Sequence, residues 1–281
     1  MLSIHTIKAL EKNLKSLPKE TCLGLVPTMG ALHEGHASLF KKAVEENDHV
    51  VVSIFVNPTQ FNNNSDLEKY PKTLDADIKL IHSISPNILI FTPTTSEIYS
   101  SAVESNNYDF NGLDKVMEGE FRDNHFNGVG TIVEALFTII KPRKAYFGEK
   151  DFQQLCIIQK LTEIQKLGVK IISCPIVRES NGLAMSSRNE RLSPEVRQQA
   201  GFIYQSMLTA KHKFGTESVL KTKEWITTEF KNNPNFELEY FEITDIDTLT
   251  PIKERIKETK YRAFIAVFAD DVRLIDNIAL N

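Results

Sequence analysis

Apolar and polar positions alternate along the first part of the chain in a way that predicts strands and helices in turn. Runs of branched apolar residues predict buried strands at positions 23–26, 50–56, 88–91, 145–147 and 169–174. Apolar residues at helical spacing predict helices over 4–16, 37–47 and 74–81, and two more that end at positions 140 and 165. Strands that alternate with helices are typical of a parallel sheet covered by helices. We therefore predict an α/β fold with a Rossmann-like doubly wound parallel sheet.

Two polar stretches interrupt this alternation. Residues 62–70 are rich in turn formers, which predicts a mobile loop. Residues 92–109 are rich in Ser, Thr and Asn, and they predict an irregular excursion between a strand and a helix.

The C-terminal part of the chain follows a different pattern. Ser193-Pro194-Glu195 is a good helix start, and helical spacing continues to about position 213 and again over 217–230. Alternating residues then predict half-buried strands over 237–246, 262–268 and 272–275. We predict a smaller C-terminal α+β domain, with domain limits at 1–181 and 182–281.

Composition and charge narrow the class of protein. The net charge of -4 argues against a broad nucleic-acid surface, because backbone binding depends on clustered Lys and Arg. An odd number of cysteines, 3, favours free thiols over a disulfide framework. The N-terminus lacks the features of a signal peptide, and no uncharged apolar run is long enough to cross a bilayer. We expect a cytoplasmic protein with no nucleic-acid or membrane partner.

A pair of histidines follows the first predicted strand. In Pro27-Thr28-Met29-Gly30-Ala31-Leu32-His33-Glu34-Gly35-His36, an apolar strand meets a Gly-containing turn and then a helix, where phosphates bind to N-terminal amides. Gly35 lets a nucleotide approach the backbone between the two imidazoles. Metalloprotease histidines are spaced i, i+4 with a glutamate between, and that spacing is absent here. The motif resembles the His-x-Gly-His signature of class I synthetase-like nucleotidyltransferases, which implies adenylyl transfer.

Three further segments carry candidate binding residues. Asn57 and Gln60 follow the second strand, and their amides can both donate and accept, which suits a small hydroxy acid. Lys150 adjoins a strand-end glycine, where it would act as a phosphate point charge. Residues 177–189 place small hydroxyl residues beside Arg188, a composition that suits a loop closing on a polyphosphate. Arg122 and His125 are further candidate phosphate contacts.

Together, residues 27–36, 55–61, 147–154 and 177–189 resemble the pantoate–β-alanine ligases in order and spacing over nearly the whole chain. The resemblance implies a two-step reaction. The pantoate carboxylate first attacks the α-phosphorus of Mg-ATP, giving pantoyl adenylate and pyrophosphate, and the amine of β-alanine then displaces AMP. Two departures from the family pattern concern loops: Asp123-Asn124 replace Pro-Gly, and Asn181 replaces an Asp.

The resemblance also implies roles for individual residues. His36 would be the proton donor, with His33 beside it, and Lys150 and Arg188 would complete the catalytic set. Gln60 and Gln154 would bind pantoate, with Gln60 also near β-alanine. The implied ATP-binding residues are Met29, Gly30, Ala31, Leu32, His33, Glu34, Gly35, His36, Gly148, Glu149, Lys150, Asp151, Val177, Met185, Ser186, Ser187 and Arg188. The remaining pantoate contacts would be Asn57, Pro27, Met29, Ile132 and Val133.

The family further implies that ATP is a substrate, that Mg²⁺ arrives with it without assigned protein ligands, and that the protein is a homodimer. A second enzymatic hypothesis is a nucleotidyltransferase that joins a nucleotide to a phosphorylated acceptor, which would need extra basic residues. A tRNA synthetase is disfavoured by the negative charge and by the lack of room for an anticodon-binding domain. A nucleotide-binding regulator without catalysis is disfavoured by intact His33, His36, Lys150 and Arg188.

Overall fold

The structure is a computed structural model that describes residues 3–61, 64–99 and 102–281. The chain divides into two compact units. The N-terminal unit consists of Met1–Glu149 and Gln154–Pro175, and the C-terminal unit consists of Lys150–Gln153 and Ile176–Asn281. Residues 176–181 thus group with the C-terminal unit, while the domain limits 1–181 and 182–281 stay a prediction.

A parallel sheet forms the centre of the N-terminal unit. Its strands are β1 (Leu23–Thr28), β2 (His49–Ile54), β3 (Leu89–Phe91), β4 (Lys144–Gly148) and β5 (Lys170–Cys174), in the order β3-β2-β1-β4-β5. Every pairing is parallel, which confirms the predicted α/β class. The strand order reverses between β1 and β4, and ligands of open α/β sheets bind beyond the carboxyl ends of the strands at such a point.

Helices cover this sheet. They are α1 (Ile7–Lys15), α2 (Glu34–Glu46), α3 (Asn64–Lys69), α4 (Leu74–Ile84), α5 (Thr95–Ile98), α6 (Glu118–Phe121), α7 (His125–Ile140) and α8 (Phe152–Ile164). The loop predicted over 62–70 is wrong for Asn64–Lys69, which is helical; positions 62 and 63 lie outside the described residues. No Gly or Pro interrupts this helix, and Pro71 disfavours its continuation through Tyr70.

Helix α7 packs unusually close to the turn that follows β2. A 3₁₀ turn spans Pro58–Gln60, and Gly128 of α7 faces its backbone. A Cβ on Gly128 would lie 2.4 Å from the Thr59 carbonyl oxygen. Only glycine therefore allows this helix and this turn to approach so closely.

We expect Gly128→Ala to lower the free energy of unfolding by about 1–3 kcal/mol, because the added methyl group forces the helix away from the turn. Chemical denaturation measures the loss. Gly215→Ala is the matched control, since a Cβ there meets no atom within 4 Å and alanine favours the helix. A loss no larger than that of the control would show that the close approach does not constrain packing.

The C-terminal unit contains an antiparallel sheet and three helices. The strands β6 (Glu237–Asp245), β7 (Tyr261–Ala269) and β8 (Val272–Ala279) are adjacent in that order, and the helices are α9 (Pro194–Gln199), α10 (Gly201–Thr216) and α11 (Val219–Lys231). This arrangement confirms the smaller α+β unit. The helical pattern predicted from Ser193 to about position 213 corresponds to two helices, α9 and α10, which are separated at Ala200. A Cβ on Gly201 would lie 2.2 Å from the Asn181 carbonyl oxygen, so a neighbouring segment occupies the space beside the break.

Candidate active site

A strained turn connects β1 to α2. Gly30 and Ala31 both have positive φ angles, 81° and 50°. The buried carboxylate of Asp77, on α4, accepts hydrogen bonds from the backbone N–H groups of Ala31 (3.1 Å) and Leu32 (2.8 Å). Such bonds offset the cost of the left-handed conformation at a residue that is not glycine. Asp77 therefore holds the turn that presents the two histidines.

His33 and His36 cap the N-terminus of α2. The Nδ1 atom of His33 accepts from the Gly35 N–H at 3.1 Å, and Nδ1 of His36 accepts from the His33 N–H at 3.3 Å. An imidazole nitrogen that accepts a hydrogen bond carries no proton, so the neutral rings are protonated on Nε2. The ring centroids are 4.1 Å apart. The helix terminus thus combines its dipole with two neighbouring Nε2 donors.

A buried polar network follows β2. Asn57, which is 1 % exposed, donates through Nδ2 to the Gly128 carbonyl (3.0 Å) and to Gln60 Oε1 (3.3 Å). Its Oδ1 accepts from the Tyr99 hydroxyl at 2.5 Å and from the Thr59 hydroxyl at 3.2 Å. Asn57 therefore links the turn, α7 and the end of α5 around Gln60.

The backbone of Gln60 is held by two residues that the sequence indicated as phosphate contacts. His125 is buried, and its Nδ1 donates to the Gln60 carbonyl oxygen at 2.8 Å. Arg122 donates to the same oxygen at 3.4 Å and lies 3.5 Å from Glu118. These contacts show both side chains fixing Gln60.

The predicted pantoate residues lie in β1 and just after it, in the segment that follows β2, and on helices α7 and α8. The Nε2 of Gln60 is 2.8 Å from the sulfur of Met29, and Pro27 is in β1 itself. Ile132 and Val133 are buried on α7. Gln154 lies in the first turn of α8, after β4, whereas Gln60 follows β2. Because β2 and β4 flank β1, the two glutamines follow strands on opposite sides of it.

A cavity opens at this edge of the sheet. It has a volume of about 500 Å³, and Met29, Gly30, Phe55, Asp77 and Thr92 are among its lining residues. The cavity lies beyond the ends of β1, β2 and β3, and its lining includes Met29 and Gly30 but not the two histidines or the two glutamines of the predicted site.

The other predicted ATP-binding residues belong to the C-terminal unit. Lys150 Nζ lies 3.6 Å from Asp151, and the Lys150 carbonyl accepts from Asn277 at 2.8 Å. Val177 and Met185 pair through a backbone hydrogen bond of 2.9 Å. Ser186 then caps a 3₁₀ turn, Ser187–Arg191, by accepting from the Arg188 N–H at 3.2 Å. The loop predicted over residues 177–189 thus consists of a hairpin and a 3₁₀ turn within the C-terminal unit. Gly148 and Glu149, in contrast, belong to the N-terminal unit.

An ion pair supports the base of this hairpin. Arg178 binds Asp276 of β8 through two hydrogen bonds, 2.6 and 2.9 Å, and donates to the Gly182 carbonyl at 3.0 Å. The guanidinium also lies 3.6 Å from the ring centroid of Tyr204. Both charged groups are largely buried, with side-chain exposures of 17 % and 3 %.

The two departures from the family pattern fit their surroundings. Asn181 Nδ2 donates to the carbonyl oxygens of Arg197 (2.8 Å) and Gln198 (3.2 Å), which a carboxylate could not do. Asn124 has a φ of 59°, a left-handed conformation that glycine adopts freely and asparagine tolerates. Asn124 can therefore fill the position of the family glycine.

The described residues contain neither a metal-binding cluster nor a helix that could cross a membrane. Within residues 3–61, 64–99 and 102–281, no group of 3 or more His, Cys, Asp or Glu side chains could hold a metal ion. Among the helices of the same described ranges, none is long and apolar enough to span a membrane.

Comparison with known proteins gives a consistent result. A sequence model described as Pantoate-beta-alanine ligase matches residues 2–279. A pantothenate synthetase of Christiangramia forsetii is 56% identical over 280 residues, which cover 100% of this chain and 97% of that protein.

The solved structures that resemble this chain have the same descriptions as its sequence relatives. A pantothenate synthetase from Thermus thermophilus superimposes with a TM-score of 0.90 at 35% identity, covering 100% of this chain and 99% of the other. A pantoate-beta-alanine ligase from Francisella tularensis, complexed with beta-gamma ATP and beta-alanine, gives a TM-score of 0.83 at 36% identity, covering 100% and 98%. The chain belongs to the pantoate-beta-alanine ligase family.

Proposed function

We propose that the histidine turn, the two glutamines and the cations of this chain together carry out the reaction of its family. That reaction is the ATP-dependent condensation of (R)-pantoate with β-alanine to pantothenate, AMP and pyrophosphate, through a pantoyl adenylate, and the chain catalyses it as a member. The observation that carries the residue assignment is the paired histidine cap of α2. It supplies two Nε2 donors at a helix N-terminus, where phosphates bind.

In the first step, the pantoate carboxylate attacks the α-phosphorus and negative charge shifts toward the departing pyrophosphate. Nucleotidyl transfer depends on positioning and on donors that meet this charge in the transition state. His36 and His33 supply such donors, and Lys150 and Arg188 supply cations. Mg²⁺ carried with the nucleotide would add charge neutralisation, and we assign it no protein ligand.

ATP contacts extend over the predicted blocks. These are residues 29–36, 148–151, 177 and 185–188. The backbone pairing of Val177 with Met185 supports a shared role, because the bond keeps the two residues side by side.

Pantoate is bound by Gln60 and Gln154, with Asn57 in support and Pro27, Met29, Ile132 and Val133 as an apolar wall. The buried network around Asn57 supports this assignment, since a pre-organised amide binds its ligand at a lower entropic cost. Gln60 also lies near β-alanine in the second step. In that step the neutral amine attacks the activated carbonyl and AMP leaves.

Gln154→Ala is expected to raise the KM for pantoate while the KM for ATP stays the same. Loss of one hydrogen bond to a charged group corresponds to about 10- to 100-fold weaker binding. Steady-state kinetics with each substrate varied in turn separates the two constants. Gln159→Ala, an exposed position on the same helix, serves as the control. A raised KM for ATP alone would contradict the assignment.

The decisive experiment for the function is the release of AMP and pyrophosphate from Mg-ATP, first with pantoate alone and then with pantoate and β-alanine. Sustained turnover only with both acids establishes the ligase. If neither acid stimulates AMP release, the pantoate assignment fails, and phosphorylated acceptors become the next substrates to test.

We also propose that the protein is a cytoplasmic homodimer and binds no nucleic acid. The family resemblance supports the dimer, and the net charge of -4 supports the absence of a nucleic-acid partner. Analytical ultracentrifugation tests the dimer, because a monomer at micromolar concentration would contradict it.

A further inference from the structure

The orientation of the Asn57 side chain is fixed by the chemistry of its partners. A carbonyl oxygen can only accept a hydrogen bond, so the atom of Asn57 that lies 3.0 Å from the Gly128 carbonyl must be the NH₂ group. The opposite end, Oδ1, then faces the hydroxyl of Tyr99 at 2.5 Å. A rotation of the amide by 180° would set two acceptors against each other at Gly128.

The orientation of Asn57 determines that of Gln60. The second hydrogen of Asn57 Nδ2 is donated to Gln60 Oε1 at 3.3 Å. The Nε2 group of Gln60 is therefore the end turned away from Asn57, and it lies beside the sulfur of Met29 at 2.8 Å. Sulfur is a weak acceptor, so an incoming carboxylate or hydroxyl oxygen can compete successfully for these N–H donors.

The hydroxyl of Tyr99 donates a hydrogen bond to Asn57 Oδ1 and does not accept one from Asn57. Its side chain is largely buried, and burial raises the pKa of the phenol above its ordinary value, so the hydroxyl keeps its proton. The residue follows α5, and its backbone N–H bonds to the Thr95 carbonyl at 2.8 Å. The hydroxyl of Thr59 lies 3.0 Å from that of Tyr99 and 3.2 Å from Asn57 Oδ1, and its single hydrogen is donated to Asn57.

We propose that Tyr99 is a positioning residue for recognition of the acid substrate. Acting through Asn57, it fixes the Gln60 amide so that Nε2, the donor end, faces an oxygen of that substrate. This inference rests on the proposed binding of pantoate by Gln60. Tyr99 itself does not contact the substrate.

Tyr99→Phe removes only the hydroxyl group. We expect the dissociation constant for pantoate to rise about 3- to 10-fold, the scale of one neutral hydrogen bond. The KM for ATP should stay unchanged. Tyr146→Phe is the matched control, because that buried hydroxyl bonds to Asn47 at 2.7 Å and Glu46 at 3.0 Å, residues at the C-terminal end of α2. It should change thermal stability without changing pantoate binding.

A double-mutant cycle tests whether the effect passes through Asn57. In the Asn57→Ala background, Tyr99→Phe should have no further effect on pantoate binding. A full additional loss of about 3- to 10-fold there would overturn the proposal. If Tyr99→Phe does not fold, Asn57→Asp keeps the acceptor for Tyr99 and removes the donor to Gln60 Oε1, and unchanged pantoate affinity in that variant would also overturn the proposal.

Pantoate binding to the wild-type protein is measured first by calorimetry. A wild-type protein that does not bind pantoate refutes the proposed function. A wild-type protein that binds pantoate, together with a Tyr99→Phe variant of equal affinity, refutes the positioning role alone.

Discussion

His36→Ala should lower turnover by about 100-fold or more, the usual scale for a positioned acid or transition-state donor. The substitution removes the Nε2 donor that we assign to the phosphates. It also removes Nδ1, which caps the helix by accepting from the His33 N–H. Single-turnover measurement of pantoyl adenylate formation isolates the affected step.

His36→Asn separates these two losses. The asparagine oxygen can occupy the place of Nδ1 and keep the cap, whereas nothing replaces Nε2. We expect thermal stability to recover and turnover to stay low. His212→Ala, an exposed position on α10, controls for the loss of a histidine elsewhere. Near-normal turnover in either His36 variant would contradict the role of this residue.

Asp276→Ala should destabilise the protein by about 3–5 kcal/mol, the cost of leaving one member of a buried ion pair without its partner. Asp276 is buried, and its two hydrogen bonds satisfy the Arg178 guanidinium. Without it, the hairpin that carries Val177 and Met185 loses its support, so the KM for ATP should rise as well. Chemical denaturation gives the free energy of unfolding.

The double variant Arg178→Met/Asp276→Leu removes both charges and should recover much of the lost stability. A surface pair provides the control. Lys223 and Glu242 lie 2.8 Å apart with side-chain exposures of 35% and 25%, and Glu242→Ala should cost less than about 1 kcal/mol. Equal losses of unfolding free energy from Asp276→Ala and Glu242→Ala would show that burial does not determine how much the Arg178–Asp276 pair contributes to stability.

The alternation of strands and helices predicted the sheet correctly because β1 and β2 are buried and their apolar residues reflect that burial directly. The break at Ala200 could not be predicted in the same way. Gly201 follows the break directly, but an isolated glycine is tolerated within a helix, and the close approach of the Asn181 carbonyl to Gly201 is a contact between distant segments.

The candidate site likewise combines residues in local sequence motifs with contacts between distant segments. His33, His36, Gln60 and Gln154 could be proposed from the sequence because each lies in a short motif at the end of a strand. The role that we propose for Tyr99 could not, because Tyr99 meets Asn57 across 42 positions of the chain.

Asp77 left a weaker signal in the sequence. It lies on the same helical face as Ile81, and a carboxylate on an apolar face must find donors when it is buried. The sequence could indicate that need, but the donors, on Ala31 and Leu32, follow from the tertiary structure.

The four residues 150–153 give the protein a discontinuous C-terminal unit, and this restricts how the gene can be divided. The ring of Phe152 packs against Phe264, and the guanidinium of Arg262 lies 3.8 Å from the centroid of the Phe152 ring. Strand β7 therefore packs against a side chain that is encoded far upstream. A fragment beginning at Ile176 would expose that apolar surface. Split-protein reporters and fragment complementation in this family should therefore not place the cut at Pro175, because the C-terminal product would lack residues 150–153 of its unit.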